Sequence, residues 1–264
     1  MSSLLLAFPL LLTTPDACQL SAGTHQLSLT AGGLRREAMV VVGKKVAGAA
    51  PVVFAWHGFG GSPEDLAPAV HAEEHWEDAV VVLPRGMDRT IPKFGEVKRP
   101  GWQILVGELG GRDLALFDAL HARLRKDGCL DERRVYSTGF SNGAFFSNLL
   151  ACHRAHVLAA IAPVGGGGPF EACGGAVPTR VFHGTADPVV PFESAQRTVE
   201  TWSHLAGCPG SPAPVEEQCA STTCAGGVEI MFCSARVGHS FGGRAQAQAV
   251  AAFLRRHQRP AKAR

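Results

Sequence analysis

The sequence has little net charge: 25 Lys and Arg stand against 23 Asp and Glu, a formal balance of +2 over 264 residues. That gives no reason to expect nucleic acid or an anionic membrane as a partner. The basic tail "RRHQRPAKAR" reads as a chain end rather than a binding arm. Long apolar runs are scarce as well. "LLLAFPLLL" (4–12) is too short to cross a bilayer. It suits the core of a secretory signal, although no Lys or Arg precedes it and Pro15-Asp16-Ala17 is a poor cleavage site. Residues 1–17 are therefore expected to be a signal peptide and 18–264 a single catalytic domain. The alternative is a short apolar segment of the mature fold.

Motifs for bound groups are missing too. No C-x-x-C pair occurs, and no His stands at zinc spacing from a Cys. "HAEEH" (71–75) has Ala72 where a zinc protease needs Glu, so it reads as a solvated helix face. "HGFGGSP" (57–63) has Pro63 where a dinucleotide-binding loop needs its third glycine. No metal and no cofactor are expected. Linkers, tandem repeats and low-complexity tracts are also absent.

Eight cysteines are present: Cys18, Cys129, Cys152, Cys173, Cys208, Cys219, Cys224 and Cys233. An even count clustered late in the chain favours disulfides and an oxidising compartment. The expected location is extracellular or the bacterial periplasm.

Strand and helix patterns alternate along the chain. "THQLSLTA" (24–31) alternates polar and apolar residues, and "REAMVVVG" (36–43) follows. "PVVFAW" (51–56) and "VVVLP" (80–84) are continuous apolar runs, as in strands buried on both faces. A helix is predicted over 62–79, with Ser62 as N-cap and Pro63 at its first position. Further helices are predicted over 112–126, 141–153, 194–207 and 244–257. Further strands are predicted over 134–138, 157–163, 179–184 and 227–235. Asp113 suits the start of its helix, and Phe145 with Phe146 reads as core. Two leading strands followed by β-α repeats imply an α/β fold, with a mostly parallel central sheet and helices on both faces. The stretch 85–111 is a long irregular loop.

"GFSNGAFFS" (139–147) contains G-x-S-x-G. With 31 glycines in the chain, chance alone supplies roughly 0.2 such matches, so the motif is weak by itself. Its setting strengthens it. Ser141 falls between the predicted strand "RVYST" and a helix, the strand–turn–helix context of a nucleophile elbow. Gly139 and Gly143 are needed there because side chains would clash with a neighbouring strand or helix. A serine nucleophile needs a base, and in this arrangement the acid and then the histidine follow in chain order. Asp187 in "HGTADPVVPF" and His239 in "VGHSF" each follow a later predicted strand. The oxyanion-hole donors are expected to be the backbone N–H groups of Asn142 and of Phe59, in "HGFGGS". His57 and His183 are expected to serve structural hydrogen bonds. Trp102, with Gln103 beside it in the long loop, is a candidate wall of the substrate pocket, or else an anchor for that loop.

"HGFGGS", "GFSNGAFFSNLLAC", "IAPVGGG", "HGTADPVVPF", "WSHLAGC" and "GHSF" together resemble the polyhydroxybutyrate depolymerase and feruloyl esterase family of α/β-hydrolases. The resemblance runs from about residue 35 to 257. It implies secreted ester hydrolysis without metal or organic cofactor, with Ser141, Asp187 and His239 as triad and Phe59 and Asn142 as oxyanion donors. Ser240-Phe241 stands where members often have Thr-Trp. In the inferred fold Cys152 and Cys173 are neighbours, and Cys208 with Cys224 would close the 208–226 loop. Cys18–Cys129 and Cys219–Cys233 are one option for the rest.

These readings converge on a secreted serine carboxylesterase, acting on feruloyl-type or related cell-wall or polyester esters. A monomer is expected, with only an ester substrate as partner. Alternatives within the class are a polyhydroxybutyrate depolymerase and an acetylxylan-type esterase. Outside it stand a serine peptidase of the same fold and a non-catalytic binding protein.

Overall fold

A computed structural model describes residues 17–216 and 218–261. The expected signal peptide lies almost wholly outside the described residues. The chain opens with an antiparallel pair, β1 (Gly23–Ala31) and β2 (Leu34–Val42). The apolar runs form β3 (Ala50–Trp56) and β4 (Val80–Pro84), each buried along its whole length. Then come β7 (Leu130–Phe140), β8 (Ala160–Val164), β9 (Thr179–Gly184) and β12 (Glu229–Ala235). With β10 (Ala213–Glu216) and β11 (Cys219–Thr223) they make one ten-stranded sheet, ordered β1-β2-β4-β3-β7-β8-β9-β12-β11-β10. The six central strands run parallel, and antiparallel strands close both edges. A separate hairpin, β5 (Met87–Arg89) with β6 (Arg99–Gly101), lies inside the stretch expected to be irregular.

The period-2 geometry of the central strands explains the two cores. Val52, Phe54 and Trp56 of β3 face one layer, built from α3 (Arg112–Lys126), α4 (Asn142–Arg154) and α5 (Phe192–Leu205). Val53 and Ala55 face the other, formed by α1 (Pro63–Val70) and α6 (Arg244–Arg255). Among the described residues no helix is long and apolar enough to cross a membrane.

One predicted helix is divided. Ser62 caps α1 by accepting from the Asp65 N–H at 3.2 Å, but His71 adopts φ 48° and ends that helix. The chain restarts as α2 (Ala72–His75). The cysteines pair as Cys18–Cys129, Cys152–Cys173, Cys208–Cys224 and Cys219–Cys233, leaving no free thiol. The last bridge joins residues directly opposite each other on β11 and β12. Asp113 does start α3, but it is fully buried and meets Arg36 of β2 at 3.0 Å. Its other carboxylate oxygen accepts from the Gln103 N–H at 2.9 Å, so one side chain ties together sheet, helix and the long loop.

Candidate active site

Ser141 occupies the one-residue turn between β7 and α4, with φ 53° and ψ −118°. A positive φ at a non-glycine residue is strained and is held only by its surroundings. Here the Ser141 N–H donates to Val164 O at 3.0 Å, and Ser141 O accepts from the Ala144 and Phe145 N–H groups. The two glycines are required by packing. A Cβ at Gly139 would lie 2.4 Å from Gly143 O, and one at Gly143 would lie 2.0 Å from Trp56 O. Helix α4 therefore starts against the end of β3, and the serine is lifted out at the carboxyl edge of the sheet.

Asp187 follows β9, and His239 follows β12, the neighbouring parallel strand. The His239 ring donates from Nδ1 to Asp187 Oδ2 at 2.7 Å. Asp187 Oδ1 accepts from the Val189 and Val190 N–H groups at 2.8 and 2.9 Å. Burial alone would raise this carboxyl's pKa, but the bonds from His239, Val190 and Val189 outweigh it and hold the pKa below the usual value. The aspartate is thus an anion fixed on the imidazole, whose Nε2 is left free to act as a base. The His239 ring packs on Phe140, the residue before Ser141, with centroids 4.6 Å apart. Ser141 Oγ makes no hydrogen bond among the described residues, so the last link of a triad is unformed here. Catalytic bonds in unliganded sites often close only with substrate.

The loop after β3 carries the expected oxyanion segment. His57 is buried and neutral in one tautomer: Nε2 accepts from the Gly86 N–H at 2.9 Å, leaving Nδ1 to donate to Gly58 O at 2.8 Å. Burial pushes its pKa down, against the opposing pull of the Gly58 hydrogen bond. The Phe59 N–H makes no hydrogen bond among the described residues. The Asn142 N–H is the first of α4, where a helix has no partner of its own to offer. His183, also buried, reaches Val190 O at 3.0 Å and so braces the Asp187 loop.

Trp102 is not in the wall of the site. It is 0 % exposed, packed edge-on to Trp56 at 5.0 Å and beside Phe146. Gln103 is likewise buried, spending its amide on the Asp113 and Leu114 N–H groups and on Leu105 O and Val106 O. A hairpin, not an open loop, turns both side chains inward. The cleft beside Ser141, about 430 Å³, is lined instead by Phe59, Phe94, Leu105, Phe145, Phe170 and Val190 among others. Phe59 stacks on Phe94 at 5.4 Å and Phe145 on Phe170 at 5.7 Å. Phe145 thus belongs to the cleft, whereas Phe146 is core. Phe94 and Phe170 had a signal in the sequence, since each follows a buried strand of the parallel sheet on the edge that carries Ser141.

The strand order and the strand–turn–helix that carries Ser141 are those of the α/β-hydrolase fold. No family model matches the chain. It is similar to feruloyl esterases, as its motifs suggested: 31% identical over 132 residues to the probable feruloyl esterase C of Aspergillus oryzae, covering 49% of this chain and 43% of that protein. It is 30% identical over 146 residues to feruloyl esterase C of Emericella nidulans, covering 51% and 54%. The chain thus spans about half the length of these curated relatives. In structure it resembles an acetyl xylan esterase from Aspergillus awamori, with TM-score 0.65, 14% identity, and coverage of 87% of this chain and 99% of that one.

Proposed function

We infer that the protein is a serine carboxylic-ester hydrolase working through an acyl-enzyme. The observation that carries this reading is the Asp187–His239 pair, 2.7 Å apart, set beside a serine held at positive φ on a strand–helix turn. In this reading Ser141 Oγ attacks the ester carbonyl as His239 Nε2 takes its proton, and Asp187 stabilises the imidazolium. The Phe59 and Asn142 N–H groups receive the oxyanion. The proton on His239 then leaves with the alcohol. Water, deprotonated by the same ring, releases the acid and restores Ser141. The likeness to feruloyl esterases supports ester chemistry. The four disulfides fit an exported protein.

Cleft shape bears on the substrate. Two stacked phenylalanine pairs and aliphatic side chains suit a planar or extended apolar acyl group better than acetyl. Feruloyl-type esters are therefore the favoured substrates, with hydroxyalkanoate oligomers next and acetylated xylan last. The test has two parts. A serine-directed fluorophosphonate should label Ser141 and fail on Ser141→Ala. Methyl ferulate, 3-hydroxybutyrate oligomers, p-nitrophenyl acetate and a peptide amide are then compared by kcat/KM. A protein that is not labelled, or that cleaves only the amide, overturns the reading.

A further inference from the structure

The segment Arg99–Trp102 touches both halves of the expected oxyanion hole. On one side the Asn142 side chain makes a two-point pair with the backbone of Trp102. Its Oδ1 accepts from the Trp102 N–H at 2.7 Å, and its Nδ2 donates to Trp102 O at 3.0 Å. The approach is so close that a Cβ at position 101 would lie 2.7 Å from Asn142 Oδ1, so only Gly101 fits. On the other side the Trp102 indole N–H donates to His57 O at 2.8 Å, and Pro100 O accepts from the Gly60 N–H at 2.7 Å. These two bonds flank Phe59. The bracket is itself anchored: Arg89 donates to Trp102 O and pairs with Glu108. All of Trp102, Asn142 and Arg89 is buried.

We propose that Trp102 and the Asn142 side chain are positioning residues: through the β6 end of the hairpin they fix the separation and aim of the Phe59 and Asn142 N–H donors. The proposal rests on the esterase reading of the site. Trp102 is buried outside the cleft lining, and the Asn142 amide is spent on the Trp102 backbone. Preorganised donors stabilise the transition state because they need not move when charge develops. Small misplacements of such donors are costly in rate and nearly silent in ground-state binding. The one residue whose side chain and backbone both matter is Asn142. Its N–H is the donor, and its amide sets where that donor sits.

Trp102→Phe keeps an aromatic side chain and deletes the indole N–H. Asn142→Asp keeps the acceptor for the Trp102 N–H and deletes the donor to Trp102 O. Each should lower kcat by roughly 10- to 100-fold, with KM within about threefold, equally on methyl ferulate and p-nitrophenyl acetate. Affinity for a boronic acid that mimics the tetrahedral intermediate should fall in parallel. Unfolding midpoints identify any variant that fails to fold, and the other variant then decides. A kcat within about threefold of the parent in the folded variant overturns the proposal. So does a loss confined to KM, or one confined to methyl ferulate. Fluorophosphonate labelling of the parent protein separates the two levels. If the parent is not labelled, the esterase reading itself fails. If it is labelled and the variants turn over normally, only the bracket fails.

Discussion

Beneath Ser141, at the floor of the cleft, three buried or part-buried polar side chains are held by partners: Asn142 by Trp102, His57 by Gly58 and Gly86, Asp187 by His239 and two backbone N–H groups. At the mouth large apolar side chains are exposed: Phe94 at 42 %, Leu105 at 42 % and Phe170 at 57 %. The floor is fixed because a buried polar group without its partner costs about 1–3 kcal/mol, so only one arrangement is tolerated. The mouth makes no such demand, since apolar contacts are non-directional and leave room for different acyl groups. Chemistry common to all esters is thus expected to reside in the floor, and choice among esters in the mouth.

The largest expected effect is at the floor. Ser141→Ala should lower kcat by about 10⁴-fold or more on every ester while leaving the unfolding midpoint unchanged. Substantial turnover by that variant would remove the nucleophile from the argument. Asp187→Asn should follow, at roughly 10³- to 10⁴-fold in kcat, because the amide favours the wrong tautomer of His239. Stopped-flow assays on two esters would expose any selectivity, and none is expected.

Smaller and selective losses belong to the mouth. Phe94→Ala and Phe170→Ala should each cut kcat/KM for methyl ferulate by about 3- to 10-fold, in line with losing one aromatic contact of ~0.5–1.5 kcal/mol. For p-nitrophenyl acetate the change should stay within about twofold. Equal losses on both esters would erase the distinction between floor and mouth.

The smallest effect concerns pH and stability. Burial lowers the pKa of His57, and of His121 and His257. Around His57, Arg85 adds to the depression while Asp65 and Glu64 oppose it. A group with a depressed folded pKa takes up its proton first in the unfolded chain. Stability from these histidines is therefore complete above about pH 6.5 and lost as pH falls below it. Asp187 follows the same sign in a lower window, starting near pH 3.9. Scanning calorimetry from pH 7.5 to 5 should show a falling midpoint. His57→Gln should flatten that slope and Phe170→Ala should not; a pH-independent midpoint in the parent protein would refute the assignment.

Several features were legible because they depend on local pattern. Continuous apolar runs gave away β3 and β4, and the 3.6-residue period of "RDLALFDALHARLRK" matched α3 residue for residue. The demand for glycine at 139 and 143 came from the turn alone. Short strands were not legible. Met87–Arg89 and Arg99–Gly101 have three residues each, too few for any period, and they pair only because the chain between them folds back. Strand β10 is four residues long, exposed throughout and contains Pro214, so it shows no alternating period. The break at His71 leaves the helical pattern intact on both sides, so nothing in the periodicity announced it.

The sequence by itself determined the parallel α/β order, the turn that lifts Ser141, and the loops from which Asp187 and His239 come, since each follows from a run of neighbouring residues. Tertiary structure alone decided which way Trp102 and Phe145 face, and that Arg36 and Asp113 meet. An aromatic side chain suits a core and a cleft equally well in sequence. What places Trp102 inside is the match between its backbone and indole N–H groups and acceptors on Asn142 and His57, residues 40 and 45 positions away. What places Phe145 in the cleft is the direction in which α4 leaves the turn. Local sequence encodes propensity and period. Which buried donor finds which buried acceptor is set by the assembled sheet.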